Sequence, residues 1–377
     1  DMTIDNRESM RVEALADLRK LLQFAEEIGN LEFVDGADPD LEIGALYELS
    51  LGEEKPPVLV FRNIKGFPPN YRIAVNVRSS EVFDSGAKGL DLVQNYRRHR
   101  QKRRDPIPPV KVATGPVFEN VLEGARVDAN LFPAPRWHEN DGGRYIGTEC
   151  MVIVKDPGSD WVNSGTYRVS IRDERTLSVF IEPGKHADVI RKKYWARGEK
   201  CPMVISVGQA PALGAVAAST PGPGVSEFAV AGARIGRPIE LVTGRHTGLP
   251  FPADSELVFE GFMPPPEVRA ESEGPFGEWP GYYASSTRPE PVLEIKAIYQ
   301  ETLKGRECII HYRMKTHGDI DMDNCHPYRV TDDIWMAHNG ILSMGNPIDP
   351  RKSDTWHFIE FILRPALTGN PDLLFDV

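Results

Sequence analysis

Three stretches of this chain carry side chains that could act together in chemistry. The first is Asn163-Ser-Gly-Thr-Tyr-Arg168, which follows the turn-rich Lys155-Asp-Pro-Gly-Ser-Asp160. Gly165 allows close backbone approach. Asn163 and Arg168 are anion- or metal-competent side chains near a strand start. The second is Glu271-Ser-Glu-Gly-Pro-Phe-Gly-Glu-Trp-Pro280. Here Glu273 and Glu278 flank a Gly-Pro-Phe-Gly turn beside Phe276 and Trp279. Carboxylates packed on rings with few neutralising neighbours are expected to have raised pKa values, which makes them proton donors near neutrality. The third is dispersed: His186 after Pro183-Gly184, and Glu227 after Ala218-Ser-Thr-Pro-Gly-Pro-Gly224. Carboxylate, amide oxygen and imidazole together suit a divalent ion such as Mn²⁺ or Mg²⁺. Taken singly, each group also reads as ordinary surface: an Arg on a turn, two solvated acids, a lone His.

The elements that must position these groups change character along the chain. Leu15, Leu18, Leu21, Leu22 and Ala25 share one helical face, so Arg11 to Ile28 reads as a helix stopped by Gly29. Leu31-Glu-Phe-Val34 is a strand, Leu41 to Leu51 a helix, Val58-Leu-Val-Phe61 a buried strand and Ile73-Ala-Val-Asn-Val77 another. This is an α/β pattern. Arg97-Arg-His-Arg-Gln-Lys-Arg-Arg104 reads as a solvated helix end, because no aromatic residues interleave it. From Val110 to about Tyr299, short apolar runs alternate with Gly, Pro and Asp. They are Thr148 to Val154, Tyr167 to Ile171, Leu177 to Ile181, Met203 to Val207 and Ile239 to Val242. One helix interrupts them, Ala187 to Arg197. Such spacing predicts a β-barrel or sandwich.

The 377 residues leave room for two or three domains. Hydrophobic residues at 41% and charged residues at 26% exclude a wholly disordered chain. The balance of 44 basic against 55 acidic residues, net −11, argues against a nucleic-acid binder. No apolar run reaches the about 18 residues that a membrane span needs. No charged-then-apolar leader is seen, and four scattered Cys show no CxxC spacing. A cytoplasmic protein without a disulfide framework is expected.

With these residues in place, the sequence resembles the UbiD-type family of prenylated-flavin-dependent decarboxylases, from near the N-terminus to about residue 299. The resemblance is most specific over Ala134 to Gly147, Asn163 to Arg168 and Glu271 to Tyr283, in the family's order and spacing. It implies that Asn163, His186 and Glu227 are ligands of a divalent metal, Mn²⁺ or Mg²⁺, which bridges to the phosphate of prenylated FMN, with K⁺ as a further ion. It assigns Gly165 and Arg168 to the cofactor site as well. It implies that Arg168, Glu273 and Glu278 are the catalytic set: Arg168 orients the substrate carboxylate, Glu273 holds Arg168, and Glu278 delivers the proton that replaces CO2. The implied reaction is reversible, non-oxidative decarboxylation of an aromatic or α,β-unsaturated acid. A flavin prenyltransferase would supply the cofactor, and a homo-oligomer is the family's usual state. The implied fold is α+β: an N-terminal α/β domain over 1–109, a central split β-barrel over 110–299, and an atypical segment over 300–377.

That last segment carries five of the nine His, from His311 to His357. Roughly Leu303 to Phe375 looks like part of a class II, N-terminal-nucleophile glutamine amidotransferase-like domain. By that likeness Arg313, His317 and Gly318 would bind a glutamine-like amide, and Asn339 and Gly340 would form an oxyanion hole. Such enzymes need an N-terminal Cys as nucleophile. The chain begins at Asp1, so an intact glutaminase is not expected. Two alternatives stand beside the decarboxylase: a flavin- or metal-binding barrel that has lost turnover, and an amidotransferase-related component.

Overall fold

The structure, a computed structural model, describes residues 4–83, 94, 105–219, 221–278, 282–283, 286–301, 328–329, 335–336 and 358–365. The chain divides into two units, Asp1–Leu303 and Lys304–Val377.

The first unit opens with α1 (Ile4–Ala16) and α2 (Leu18–Glu27). The apolar spacing predicts one helix here, but two form. Asp17 stands at the break in extended conformation, and its Oδ1 accepts hydrogen bonds from the backbone of Arg19 at 2.7 Å and Lys20 at 3.2 Å. A short carboxylate that satisfies the first amides of a new helix competes with continuation of the old one. Next come β1 (Leu31–Asp35), α3 (Glu42–Ser50), β2 (Val58–Arg62), β3 (Ile73–Val75) and the short α4 (Ser80–Phe83). β1 and β2 are parallel, with Leu31 opposite Val58, and α3 makes the crossover that parallel pairing requires. Val58 to Phe61 are all buried, as expected of a strand covered on both faces. The basic stretch Arg97 to Arg104 lies outside the described residues.

The middle of the unit contains β4 (Val110–Lys111), β5 (Asn120–Glu123), β6 (Arg144–Gly147), β7 (Met151–Lys155), β8 (Val162–Gly165), β9 (Arg168–Asp173) and β10 (Thr176–Phe180). After α5 (His186–Trp195) follow β11 (Cys201–Val207), α6 (Pro211–Ala217), α7 (Glu227–Ile235), β12 (Glu240–Thr243), β13 (Pro250–Pro252) and β14 (Leu257–Met263). β15 (Ala270–Glu273), β16 (Gly277–Glu278), β17 (Tyr282–Tyr283) and β18 (Arg288–Gln300) complete it. The main sheet runs β6-β9-β10-β18-β14-β11-β7-β8, with β5 and β15 also on β18.

Strand order forces a curled shape. Only Thr166 and Tyr167 join β8 to β9, yet six strand steps separate the two in the sheet. Laid flat, they would stand about 29 Å apart at about 4.8 Å per step. A link of two residues reaches only about 10 Å. The sheet therefore curls until β8 and β9 meet, with Arg168 directly after that turn and Asn163 three residues before it in β8. Side chains of alternate residues bury on its two faces. Val152, Val154, Phe259 and Leu293 pack in one cluster, while Met151, Ile153, Val258 and Tyr299 pack in another with Leu213 of α6 and Phe228 of α7.

The α/β module and the curled sheet, with helices set against it, make an α+β fold. α1 and α2 pack onto the central part of the unit. Ala16 and Leu15 enter the cluster with α6 and α7, and Arg19 bridges Glu301 at 2.5 Å and Glu256 at 2.9 Å. In the second unit the described residues form β19 (Tyr328–Arg329), antiparallel to β20 (Trp335–Met336), and a π-helical turn over Ile359–Leu363. Arg313, His317, Gly318, Asn339 and Gly340, the residues assigned to an amidotransferase-like fragment, lie outside the described residues. Among the described residues no helix is long and apolar enough to cross a membrane.

Candidate active site

Arg168 begins β9, Glu273 ends β15 and Glu278 lies in β16, and the curled sheet brings the three together. Arg168 donates from Nε to Glu273 Oε1 and from Nη2 to Glu273 Oε2, both at 2.8 Å. Its Nη1 lies 3.7 Å from Glu278 Oε1. The Arg168 side chain is 9% exposed and that of Glu273 1%, whereas Glu278 is 32% exposed. The guanidinium lies 4.1 Å from the Phe180 ring centroid and 5.4 Å from that of Phe276. Phe180 is its cross-strand partner on β10. Burial alone would push the Arg168 pKa down. The Glu273 hydrogen bonds and charge outweigh it, and the guanidinium sits above the ordinary arginine value. The turn was expected to leave its carboxylates with few neutralising neighbours. It does not: a bidentate guanidinium covers Glu273, and Glu278 is half-exposed.

A backbone frame holds the turn. The buried Asp141 side chain accepts three amides: Trp137 at 3.1 Å and His138 at 3.0 Å on Oδ2, and Gly277 at 2.8 Å on Oδ1. Close approach is possible because glycines face each other. A Cβ on Gly142 would stand 2.2 Å from the Gly274 carbonyl oxygen, and one on Gly277 would stand 2.3 Å from His138 Nδ1. His138 in turn shares a 2.8 Å hydrogen bond with Glu48 of α3. Asp141→Ala would strand three amides, so we expect a loss of about 2–4 kcal/mol in urea unfolding. Asp141→Asn keeps one acceptor oxygen and should lose less.

The second group assembles where α5 and α7 begin. Asn163 of β8, His186 at the start of α5 and Glu227 at the start of α7 converge on a small cavity of about 90 Å³. Asn163 Nδ2 donates to Glu227 Oε1 at 2.9 Å and lies 3.5 Å from His186 Nδ1, while the Ser164 amide donates to Glu227 Oε2 at 3.2 Å. The ring of Trp161 meets His186 edge-on at 5.0 Å. Among the described residues, the buried Asn163 Oδ1, Ser164 Oγ and Thr166 Oγ1 find no hydrogen-bond partner. Glu227 is fully buried, and burial lifts its carboxyl to about 7. Gly165 borders this cavity, but the close approach it permits is to the Tyr167 ring, whose Cε2 would lie 2.7 Å from a Cβ. Among the described residues no three His, Cys, Asp or Glu side chains cluster as a metal site, and this trio depends on its amide.

A larger cavity of about 630 Å³ lies against Glu278, walled by Tyr47, Tyr71, Trp137, Tyr145 and Phe276. That volume suits a ligand of cofactor or substrate size. Trp279, expected beside Phe276 as an apolar wall, lies outside the described residues. Sequence reasoning missed Asp141, Phe180 and Tyr145, whose hydroxyl donates to Glu273 Oε1 at 3.0 Å. The first and last belong to the singled-out stretch Ala134 to Gly147, but nothing in one strand of sequence names a partner more than a hundred residues away.

The model of the UbiD 3-octaprenyl-4-hydroxybenzoate carboxy-lyase Rift-related domain matches residues 109–311. The chain belongs to the UbiD family. The match runs past residue 299, where the sequence resemblance was expected to stop. Among UbiD relatives, the pyrrole-2-carboxylic acid decarboxylase of Pseudomonas aeruginosa is 32% identical over 75% of this chain and 59% of its own length. Ferulic acid decarboxylase 1 of Saccharomyces cerevisiae is 29% identical over 76% of this chain and 58% of its own. An evolved dimeric form of the UbiD-class enzyme HmfF from Pelotomaculum thermopropionicum, solved with prFMN, aligns with a TM-score of 0.67 at 27% identity. That alignment covers 76% of this chain and 66% of HmfF. Vanillic acid decarboxylase of Sedimentibacter hydroxybenzoicus, in its closed form, gives 0.69 at 29% identity, covering 76% of this chain and 62% of the other. The chain thus spans about three fifths of the length of the curated relatives it matches, at 59% and 58%.

Proposed function

We propose that this protein is a carboxy-lyase that removes CO2 from an aromatic or α,β-unsaturated carboxylic acid with the help of prenylated FMN. The observation that carries the reading is the buried Arg168–Glu273 pair with Glu278 at 3.7 Å, beside a cavity of about 630 Å³. Loss of CO2 from an sp² carbon leaves an electron pair that no side chain can absorb, and prenylated FMN, when bound, supplies the electron sink. The chain's own residues do the rest. Arg168 orients the substrate carboxylate through charge-assisted hydrogen bonds. Glu273 fixes the guanidinium. Glu278, the more exposed acid, hands a proton to the carbon that CO2 leaves, so it must carry that proton at that step. Tyr47, Trp137 and Phe276 exclude water and favour a flat, apolar acid.

The residues present also fit a divalent cation. Asn163, His186 and Glu227 would hold Mn²⁺ or Mg²⁺, and the cation would anchor the flavin phosphate. Supporting this, the buried Asn163 Oδ1 has no partner among the described residues, and Glu227 is a buried acid whose ionised form a cation would favour. Asn163→Leu should weaken Mn²⁺ binding by about 100-fold, read by electron paramagnetic resonance titration on protein shown by circular dichroism to be folded. Equal affinity in the variant would remove Asn163 from the site. The reading includes a flavin prenyltransferase as supplier of the cofactor and a homo-oligomeric state.

The test of the whole reading is CO2 release. The protein is produced with a flavin prenyltransferase, its flavin is identified by mass spectrometry, and pyrrole-2-carboxylic, ferulic and vanillic acids are offered with other aromatic acids. Stoichiometric CO2 and decarboxylated product are expected from at least one. Bound prenylated FMN with no CO2 from any acid would leave a binding barrel instead.

A further inference from the structure

The stretch Ala134 to Gly147 frames the turn through Asp141 and also carries Tyr145, whose hydroxyl reaches Glu273. We infer that Tyr145 is a positioning residue for the decarboxylation: its hydroxyl fixes the Glu273 carboxylate and, through it, the edge of Arg168 that faces Glu278. The inference rests on the proposed function above.

Three observations carry it. First, both Glu273 oxygens are committed. Oε1 accepts from Tyr145 at 3.0 Å and from Arg168 Nε at 2.8 Å, and Oε2 accepts from Arg168 Nη2 at 2.8 Å. The last torsion of a Glu side chain is broad and nearly two-fold. A donor outside the salt bridge is what selects one orientation of the carboxylate plane, and a planar guanidinium paired to it must follow.

Second, the strand bearing Tyr145 is bent at the right place. β6 pairs with β9 as Tyr145 opposite Ser170 and Gly147 opposite Val169, so Ile146 is an extra residue. The bulge falls one residue from Arg168 on the partner strand. Bulges of this kind re-aim side chains beside active sites. Here it leaves Tyr145 1% exposed, with its ring 4.5 Å from that of Phe276.

Third, the hydroxyl is a dependable donor. Burial raises the Tyr145 phenol above the usual tyrosine range, and the Glu273 charge raises it further, so it keeps its proton. A buried hydroxyl is costly unless it is bonded, and a phenylalanine would fill the same space without it. Among the described residues, the charged groups near the Tyr145–Glu273 contact include Arg168, Glu278 and Arg172, together with Arg288, the register partner of Glu273 on β18, and Glu290, which accepts from Arg288 at 2.6 Å. Tyr145 is the neutral donor among these charges.

The test uses Tyr145→Phe in the flavin-loaded protein, with an acid that wild type turns over. We expect kcat to fall about 10- to 100-fold with KM within about twofold, the loss of one hydrogen bond to a charged group. The carboxylate stretch of Glu273, assigned by infrared difference against Glu273→Gln, should shift between wild type and Tyr145→Phe in the cofactor-free protein. An unshifted band, or an unchanged kcat, would overturn the inference. So would a loss of activity matched by loss of flavin or a collapse in melting temperature, since that marks a packing role. If Tyr145→Phe does not fold, 3-fluorotyrosine at position 145 keeps ring and hydroxyl, and its stronger donor should shift the band the opposite way; no shift again overturns the inference. Wild type that releases no CO2 would sink the proposed function, and the role of Tyr145 in it. An active wild type with a wild-type-like Tyr145→Phe would sink the role of Tyr145 alone.

Discussion

Arg168→Ala is expected to abolish CO2 release and to remove about 3–5 kcal/mol of stability at once. The two losses have one cause. Glu273 is 1% exposed, and Arg168 meets both of its oxygens at 2.8 Å. Among the described residues, removing the guanidinium leaves the buried carboxylate with the Tyr145 hydroxyl as its side-chain donor. Arg168→Lys keeps the charge but not the fork, and a compact ammonium cannot span two carboxylate oxygens in the same way. It should recover part of the stability and little of the activity. Replacing Arg168 with Met and Glu273 with Leu together should recover stability further, because no charge remains buried, while activity stays absent. Urea unfolding followed by circular dichroism gives the stabilities, and CO2 release gives the activities. An Arg168→Ala protein as stable as wild type would mean that the pair is not buried as described.

Glu278→Gln should behave differently. A fall in kcat of about 10²–10⁴-fold is expected, the usual worth of a positioned proton donor. Stability should change by no more than about 0.5 kcal/mol, as for an exposed substitution. Glu278 is 32% exposed, and its contact to Arg168, at 3.7 Å, is longer than a hydrogen bond. Flavin content should be unchanged, which separates a lost proton transfer from a lost cofactor. Normal turnover in Glu278→Gln would strip this acid of its role. The contrast between the two acids is itself informative. Glu273→Gln should lose stability and activity together, and Glu278→Gln activity alone, because one is locked in a salt bridge and the other borders the cavity.

Much of the local structure was legible in the residues. Val58 to Phe61, Leu177 to Phe180 and Met203 to Val207 form strands where apolar and β-branched residues cluster, because that pattern fits a covered sheet whatever surrounds it. The helix expected from Ala187 to Arg197 forms as His186–Trp195. Where reading failed, a local competitor won. Asp17 broke one expected helix into two, because its carboxylate caps amides that periodicity alone does not register.

Residue types and their order along the chain determined which groups could act: one guanidinium, two acids, and an amide, an imidazole and a carboxylate suited to a cation. Only the tertiary structure decided how they meet. Arg168 and Glu273 stand 105 residues apart and touch in a sheet that must curl, because Thr166 and Tyr167 join the end strand β8 to β9, six strand steps away. The same curl set Glu273 in a salt bridge rather than among rings alone, and within reach of the Tyr145 hydroxyl on β6, the strand beside β9 that carries one extra residue. Spacing along the chain specifies which face of a strand a side chain takes, since that is fixed every second residue. Which distant face it meets depends on strand order, and strand order is set by the packing of the whole sheet.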